Sequence, residues 1–329
     1  MNTWTGLKRA ASGALAGVAM TVAAASGAAA QDFPSGPVEL IVPWNAGGGT
    51  DRSARLFAPY LAEELGVPVN VVNQAGGGGW VAWAEMAKWD PVEDDHKIGL
   101  VNLPHVFAYL DPAMGRTETV ADFNFIGGQT IDPCLWVVRG DDDRFDSLAD
   151  VVAFGTENPG QLLVSSTAIG SDDYQGLAFA EKSIDGFETS KVYANNDGKK
   201  IQELLAGTTD MIAGNVSFYV PYILDGQMKP LATLDSERSK FLPSVPTFEE
   251  VTGVENICFA ARTLVAAPGI DPAKYAVFEA AIKAAQANPD YQIKELNNSS
   301  TIWGISGDEL KSFIAKTEES VKFVEYWNQ

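Results

Sequence analysis

One arrangement constrains the fold more than any other: an apolar run, a cluster of glycines, then a segment with helical spacing. It occurs twice in close succession. "PVELIVPW" (Pro37–Trp44) reads as a buried strand, and "NAGGG" joins it to "TDRSARLFAPYLAEELG". In that segment Ala54, Leu56, Phe57, Tyr60, Leu61 and Leu65 fall on one helical face, with Gly66 as the stop. "VPVNVVNQ" (Val67–Gln74) and "GWVAWAEMAKW" repeat the pattern around "AGGGG", and "KIGLVNL" (Lys97–Leu103) opens a third unit. Three such β-α units predict a parallel sheet wound with helices. The alternation then resumes. "PCLWVVRG", "QLLVSST", "SKVYA", "DMIAGNV", "MKPLATL" and "ICFAARTLVAA" read as strands. "SLADVVAFGTENPG", "DDYQGLAFAEKSI", "GKKIQELLAG" and the two closing segments, "DPAKYAVFEAAIKAAQA" and "GDELKSFIAKTEESVKFVEYWNQ", read as helices. A length of 329 residues suits two α/β domains.

In open parallel sheets, ligands sit where strand ends face helix N-termini. Unpaired backbone N–H groups and the helix dipole attract negative charge there, and glycine permits close backbone approach. Trp44, Asn45, Ala46, Gly47, Gly48, Gly49 and Thr50 make the first such turn; Gly76, Gly77, Gly78, Gly79 and Trp80 make the second. Thr50 or Asp51 is expected to cap the first helix. Neither turn carries the Lys and Ser/Thr of a P-loop or the last glycine of the dinucleotide fingerprint, so no nucleotide cofactor is expected. Two later loops have the same strand-to-helix position: "SSTAIGSDDY", offering Ser166, Thr167, Gly170 and Ser171, and "YANNDGKK", offering Asn195 and Asn196. For each, the alternative reading is an ordinary cap or turn. Trp80 and Trp83 are three apart on a helix, which favours core packing for at least one. The sharper reading has Trp44 and Trp80 walling a cleft for a ligand with an apolar or aromatic body.

The N-terminus is of another kind. Lys8 and Arg9 precede "AASGALAGVAMTVAAASGAAA", uncharged to Ala30, which has the parts of a secretory signal peptide over residues 1–30. Its Ala, Gly and Ser content makes cleavage a better reading than a membrane anchor, and no later run approaches a spanning length. Formal charge is −20, from 23 basic and 43 acidic residues. Such a surface repels nucleic acid and anionic lipid, so neither is an expected partner, and the mature chain is not expected to insert into a membrane. Cys134 and Cys258 leave open both a disulfide and two buried thiols. His96 and His105 lack a G-x-S-x-G serine or a zinc-type cluster, so neither catalysis nor a metal is expected. His96 reads as a surface residue; His105, at a strand end, has two readings, a structural histidine, which is favoured, and a residue that reaches the cleft.

The segments "VELIVPWNAGGGTDRSARLFAPYLAEELGVPVNVVNQAGGGG", "ELLAGTTDMIAG", "ERSKFLPSVPTFEEVTG" and "TLVAAPGIDPAKY" together resemble the periplasmic receptors of tripartite tricarboxylate transporters, the Bug receptors. The resemblance implies a type II periplasmic-binding-protein fold, two α/β lobes joined by two crossing strands, with a small carboxylate held between them. It implies one lobe of residues 32–133 and 260–329 and another of 134–259. By it, Trp44–Thr50 and Gly76–Gly79 supply amides to the carboxylate, backbone dipoles rather than arginine provide the charge complement, and the loops at Ser166–Ser171 and Asn195–Asn196 cover it. The chain departs from the family pattern at "PVEDDHKIGL", at Tyr174 and at Asn195–Asp197. A membrane permease is the implied partner, the periplasm the implied location, and a monomer the expected state. A receptor feeding a signalling partner, or an exported hydrolase, are the alternatives. Cys134 and Cys258 fall near the implied crossing strands, which places them close enough to bond.

Overall fold

The computed structural model describes residues 33–194 and 196–328. The signal-peptide reading and Asn195 lie outside the described residues. The chain opens with β1 (Val38–Val42), α1 (Gly49–Leu65), β2 (Val69–Asn73), α2 (Trp80–Met86) and β3 (Lys97–Leu103). A long strand, β4 (Asn124–Arg139), leads to α3 (Leu148–Glu157), β5 (Leu162–Ser166), α4 (Asp172–Ser183), β6 (Thr189–Tyr193) and α5 (Asp197–Leu205). Then come β7 (Met211–Asn215), α6 (Val216–Leu224), β8 (Met228–Leu234) and α7 (Phe248–Thr252). The return strand β9 (Phe259–Ala266) precedes α8 (Pro272–Ala287), α9 (Pro289–Asn297), β10 (Thr301–Ile302) and α10 (Gly307–Val324).

The strands form one ten-stranded mixed sheet in the order β2-β1-β3-β9-β4-β7-β5-β6, with β8 and β10 also paired to β4. β1 is parallel to β2 and β3, and β5 is parallel to β6 and β7. β9 runs antiparallel between β3 and β4. The first half of β4 therefore belongs with β9 and its second half with β7 and β8. Register shifts near Gly127 and Thr130 mark where this strand bends.

Along β4 the side chains alternate between two cores, as the two-residue period of a strand requires. Trp136 and Val138 join Leu148, Val164 and Phe248 on one face, whereas Leu135 and Val137 join Ile212, Tyr219 and Met228 on the other. A larger core gathers Leu40, Phe57, Trp83, Leu100, Leu264 and Phe278. Gly66 ends α1 at φ 69°, the left-handed conformation that suits glycine at a helix end. No described helix is long and apolar enough to cross a membrane.

Two expectations need correction, and one helix goes unread in the sequence. The third unit has no α-helix: β3 is followed by 3-10 turns over His105–Leu110. β4 starts at Asn124, well before "PCLWVVRG". "VSFYVPYIL" forms α6, although its aromatic and β-branched residues give no helical signal.

Cys134 and Cys258 are joined in a disulfide with their Cα atoms 5.2 Å apart. The bond sits where the chain enters β9 beside β4, and the Cys134 N–H also donates to the Cys258 carbonyl at 2.8 Å. A cross-link closing so long a loop contributes about 4–5 kcal/mol by the chain-entropy account. Alkylation of the unfolded, unreduced protein is expected to label neither cysteine, and prior reduction to label both, as read by intact mass.

Candidate functional site

α1 points its N-terminus at a small cavity of about 80 Å³. One wall is Trp44, Asn45, Ala46, Gly48, Gly49 and Thr50, backed by Asn102, His105 and Arg262. The opposite wall is Thr167, Asp172, Asn196, Asp197, Asn215 and Phe218. The strands β1, β3 and β9 supply the first wall, and the starts of α4, α5 and α6 the second. The first-turn amides of α1, at Gly49 and Thr50, have no carbonyl partner within their helix. They are the donors the glycine turn offers.

The turn is held in shape by Asp51, and not as a helix cap. The cap position is Gly48, with no side-chain capping bond. Asp51 instead accepts from the Gly47 N–H at 2.8 Å, from Asn73 at 2.8 Å and from Arg55 at 3.0 Å. Burial pushes its carboxyl up, but the bonds from Arg55, Gly47 and Asn73 outweigh burial and hold it below the usual range. The Gly47 amide is thereby spent on Asp51. Asn73 also donates to the Trp44 carbonyl at 2.9 Å, fixing where the strand ends.

Trp44 lines the cavity, with its indole N–H donating to Asn102 at 3.0 Å and its ring edge-on to His105 at 5.3 Å. Asn102 in turn donates to the Thr50 hydroxyl at 3.0 Å. Trp80 does not line it. Its ring is 1% exposed, packed against Trp83 and Tyr109, with Arg116 over it at 5.4 Å. Trp83 is also in the core, so both helix tryptophans pack inside. Gly76–Gly79 stand one layer behind the cavity. All four have positive φ, and a side chain at Gly79 would meet the Trp83 ring, which packs on Trp44. None of the four is among the lining residues.

In the "SSTAIGSDDY" loop Thr167 and Asp172 line the cavity, and of the four residues expected there only Thr167 does. Ser166 and Ser171 are buried and donate to Asp173. Ser171 also caps α4 by accepting the Tyr174 N–H at 3.3 Å. Gly170, at φ 78°, lies so close to Tyr326 that a side chain there would meet its hydroxyl. Asn196 lines the cavity and caps α5 by accepting the Lys199 N–H at 2.9 Å. The first glycine turn, Thr167 and Asn196 are therefore brought together; the second glycine turn, Trp80, Ser166, Gly170 and Ser171 are not.

The largest departure from the sequence reading is electrostatic. A buried arginine stands in the cavity where backbone dipoles alone were expected. Arg262, on β9, is 5% exposed; its guanidinium donates to Thr130 at 3.3 Å, while its Nε has no partner. The signal was present in "FAARTLVAA", a strand whose one charge has no place in an apolar interior unless a site uses it. Asp132 lies nearby. Burial pushes its carboxyl up to about 6, against the pull of Arg262 and of the Ser217 hydrogen bonds. His105 also lines the cavity, the less favoured of its two readings. Burial pushes its imidazole below the ordinary value, and its Nδ1 has no partner. Its Nε2 lies 3.4 Å from Asp172.

Cys134, Asp172 and Cys258 lie close together, but disulfide sulfurs are not thiolates, so the trio is not a metal site.

Two lobes on one bent sheet, with a polar cavity between a helix N-terminus and the opposing loops, define a solute-binding receptor. The family model described as "Tripartite tricarboxylate transporter family receptor" matches residues 53–325, and the chain belongs to that family. It is 29% identical over 257 residues to the protein BugT of Bordetella pertussis, covering 77% of this chain and 77% of the relative. Rpa4515 of R. palustris, solved with adipate, superimposes with a TM-score of 0.79 at 23% identity, over 89% of this chain and 98% of that one. MatC from Rhodopseudomonas palustris, with bound malate, gives a TM-score of 0.76 at 23% identity, over 90% and 100%. These likenesses show the type II periplasmic-binding-protein fold, two lobes joined by two crossing strands.

Proposed function

We propose that the receptor captures a small organic carboxylate in the periplasm and delivers it to the membrane permease of a tripartite tricarboxylate-type transporter. The lobes of this reading are residues 32–133 with 260–329, and residues 134–259, with β4 and β9 crossing between them. The carrying observation is the buried Arg262 guanidinium set beside the free amides of the first turn of α1. Together they offer a carboxylate charge-assisted bonds in a site shielded from water. MatC with malate and Rpa4515 with adipate support a carboxylate as the ligand class. Export by residues 1–30 puts the receptor in the compartment where such a permease is reached. Closure of the second lobe over the ligand, through contacts that both lobes make at once, sets the affinity.

Gly49 tests this directly. A Cβ there would stand 2.7 Å from the Phe218 ring and 3.0 Å from Arg262 Nη2. Gly49→Leu is expected to wedge the lobes apart. In differential scanning fluorimetry against mono-, di- and tricarboxylates, the wild type is expected to show a rise in melting temperature with its ligand. The Gly49→Leu protein should unfold cooperatively without that rise. Gly48→Ala, whose nearest atom would be the Asn45 carbonyl at 3.5 Å, is expected to keep it. A full ligand-induced rise in Gly49→Leu would place the site elsewhere, and no response of the wild type to any carboxylate would end the reading.

A further inference from the structure

The acid on the far wall of the cavity has no place in a site built only for carboxylates. Asp172 is 4% exposed and lines the cavity that Arg262 also lines. It accepts from Asn215 at 2.7 Å, and its other oxygen lies 3.4 Å from His105. Among the described residues no lysine or arginine forms an ion pair with it. The other acids around the cavity are matched differently. Asp173 and Asp197 share Lys200, at 2.8 Å and 3.0 Å, and Asp197 also accepts from the Tyr219 hydroxyl at 2.7 Å. Asp132 accepts both the Ser217 N–H and hydroxyl, at 3.1 Å and 2.5 Å, and stands in the field of Arg262.

A ligand with two carboxylates would meet one arginine and then an unmatched acid in so small a volume, and like charges at short range repel strongly away from water. A ligand that is itself dipolar meets the reverse. Asp172 also occupies the first turn of α4, a twelve-residue helix, whose dipole favours its charged form. Burial pushes its carboxyl above the ordinary range, against the pull of His105, the Asn215 hydrogen bond and the more distant Lys200. Burial pushes the His105 imidazole towards its neutral form against the pull of Asp172 and Asp173, and its Nδ1 has no hydrogen-bond partner among the described residues.

We propose that Asp172 is a specificity-determining residue that reads a protonated nitrogen on the ligand. The receptor then takes an amino-acid-like zwitterion, its carboxylate on Arg262 and the α1 amides and its ammonium on Asp172 with His105 beside it. This rests on the carboxylate-receptor reading above and narrows it.

The test is calorimetric binding of paired probes that share a carbon skeleton: L-alanine and propionate, 4-aminobutyrate and butyrate, L-glutamate and glutarate, with malate and adipate alongside. In at least one pair the amino member is expected to bind tenfold or more tightly than its partner, and more tightly than malate or adipate. Asp172→Asn should shrink that ratio at least tenfold while the affinity for the amine-free member stays within about threefold. The wild-type ratio needs no variant, so a poorly folded Asp172→Asn protein does not spoil the test. Tighter binding of a dicarboxylate than of every amino acid, or a ratio unchanged in Asp172→Asn, overturns this inference and leaves the receptor reading standing. Binding of no carboxylate at all overturns both.

Discussion

Arg262→Gln is expected to weaken binding of the proposed carboxylate by about thirtyfold or more, because truncating one partner of a buried, hydrogen-bonded charge pair costs about 2–5 kcal/mol. The guanidinium is buried on β9, a strand fixed by pairing with both β3 and β4. It is therefore presented without the entropy cost of ordering a long side chain on binding. Glutamine keeps a donor but loses the charge, so the effect isolates the ionic part. Asp132 softens the structural penalty. With the cation gone, that carboxyl takes up a proton more readily, since burial already pushes it up to about 6. Titration calorimetry reads the outcome, with the thermal midpoint of the free protein as control. A change in Kd below about threefold would show that the amides of α1 carry the carboxylate alone.

Lys200→Met is expected to lower stability by about 3–5 kcal/mol, the cost of leaving a buried charge without its partner. Lys200 is 1% exposed and donates to Asp173 at 2.8 Å, Thr167 at 3.0 Å and the Ala213 carbonyl at 3.3 Å. Burial opposes its charge, but Asp173 and Asp197 outweigh burial and hold its pKa well above the ordinary value. Asp173 in turn holds Ser166, Thr167 and Ser171, so one lysine ties the "SSTAIGSDDY" loop to α5. A lower urea midpoint at unchanged slope is the expected signature. The double variant Lys200→Met with Asp173→Asn should recover part of the loss, because the orphaned charge is then removed. A midpoint within experimental error of the wild type would mean that the pair contributes nothing net.

The fold is legible where local pattern and tertiary environment agree. "MKPLATL" reads as a strand and forms β8, Met228–Leu234; Gly66 reads as the end of α1 and caps it. Where they disagree, the sequence misleads. α6 is built from Val, Phe and Tyr with Pro221 inside, and packing against β4 and β8 overrides its weak propensity. The first half of β4, "NFIGGQTID", looks like a loop because its glycines make room for Trp303 and the Ile305 carbonyl, neighbours far away in sequence. The candidate site divides in the same way. A glycine turn before an amphipathic helix is a local signal, and Trp44–Thr50 can be read from it. Asn102, Asn215, Arg262 and Phe218 come from four separate elements, and only the topology brings them together. Gly76–Gly79 shows the converse hazard: the same local signal accommodates the Trp83 ring instead of a ligand.

The cross-link between Cys134 and Cys258 has a mechanical meaning. It staples the two strands at the point where both pass from one half of the sheet to the other, which is the axle of any swing between them. A covalent tie at that point restrains slippage of one strand along the other. In the delivery proposed above, the swing about this axle is what a permease would sense to tell a loaded receptor from an empty one.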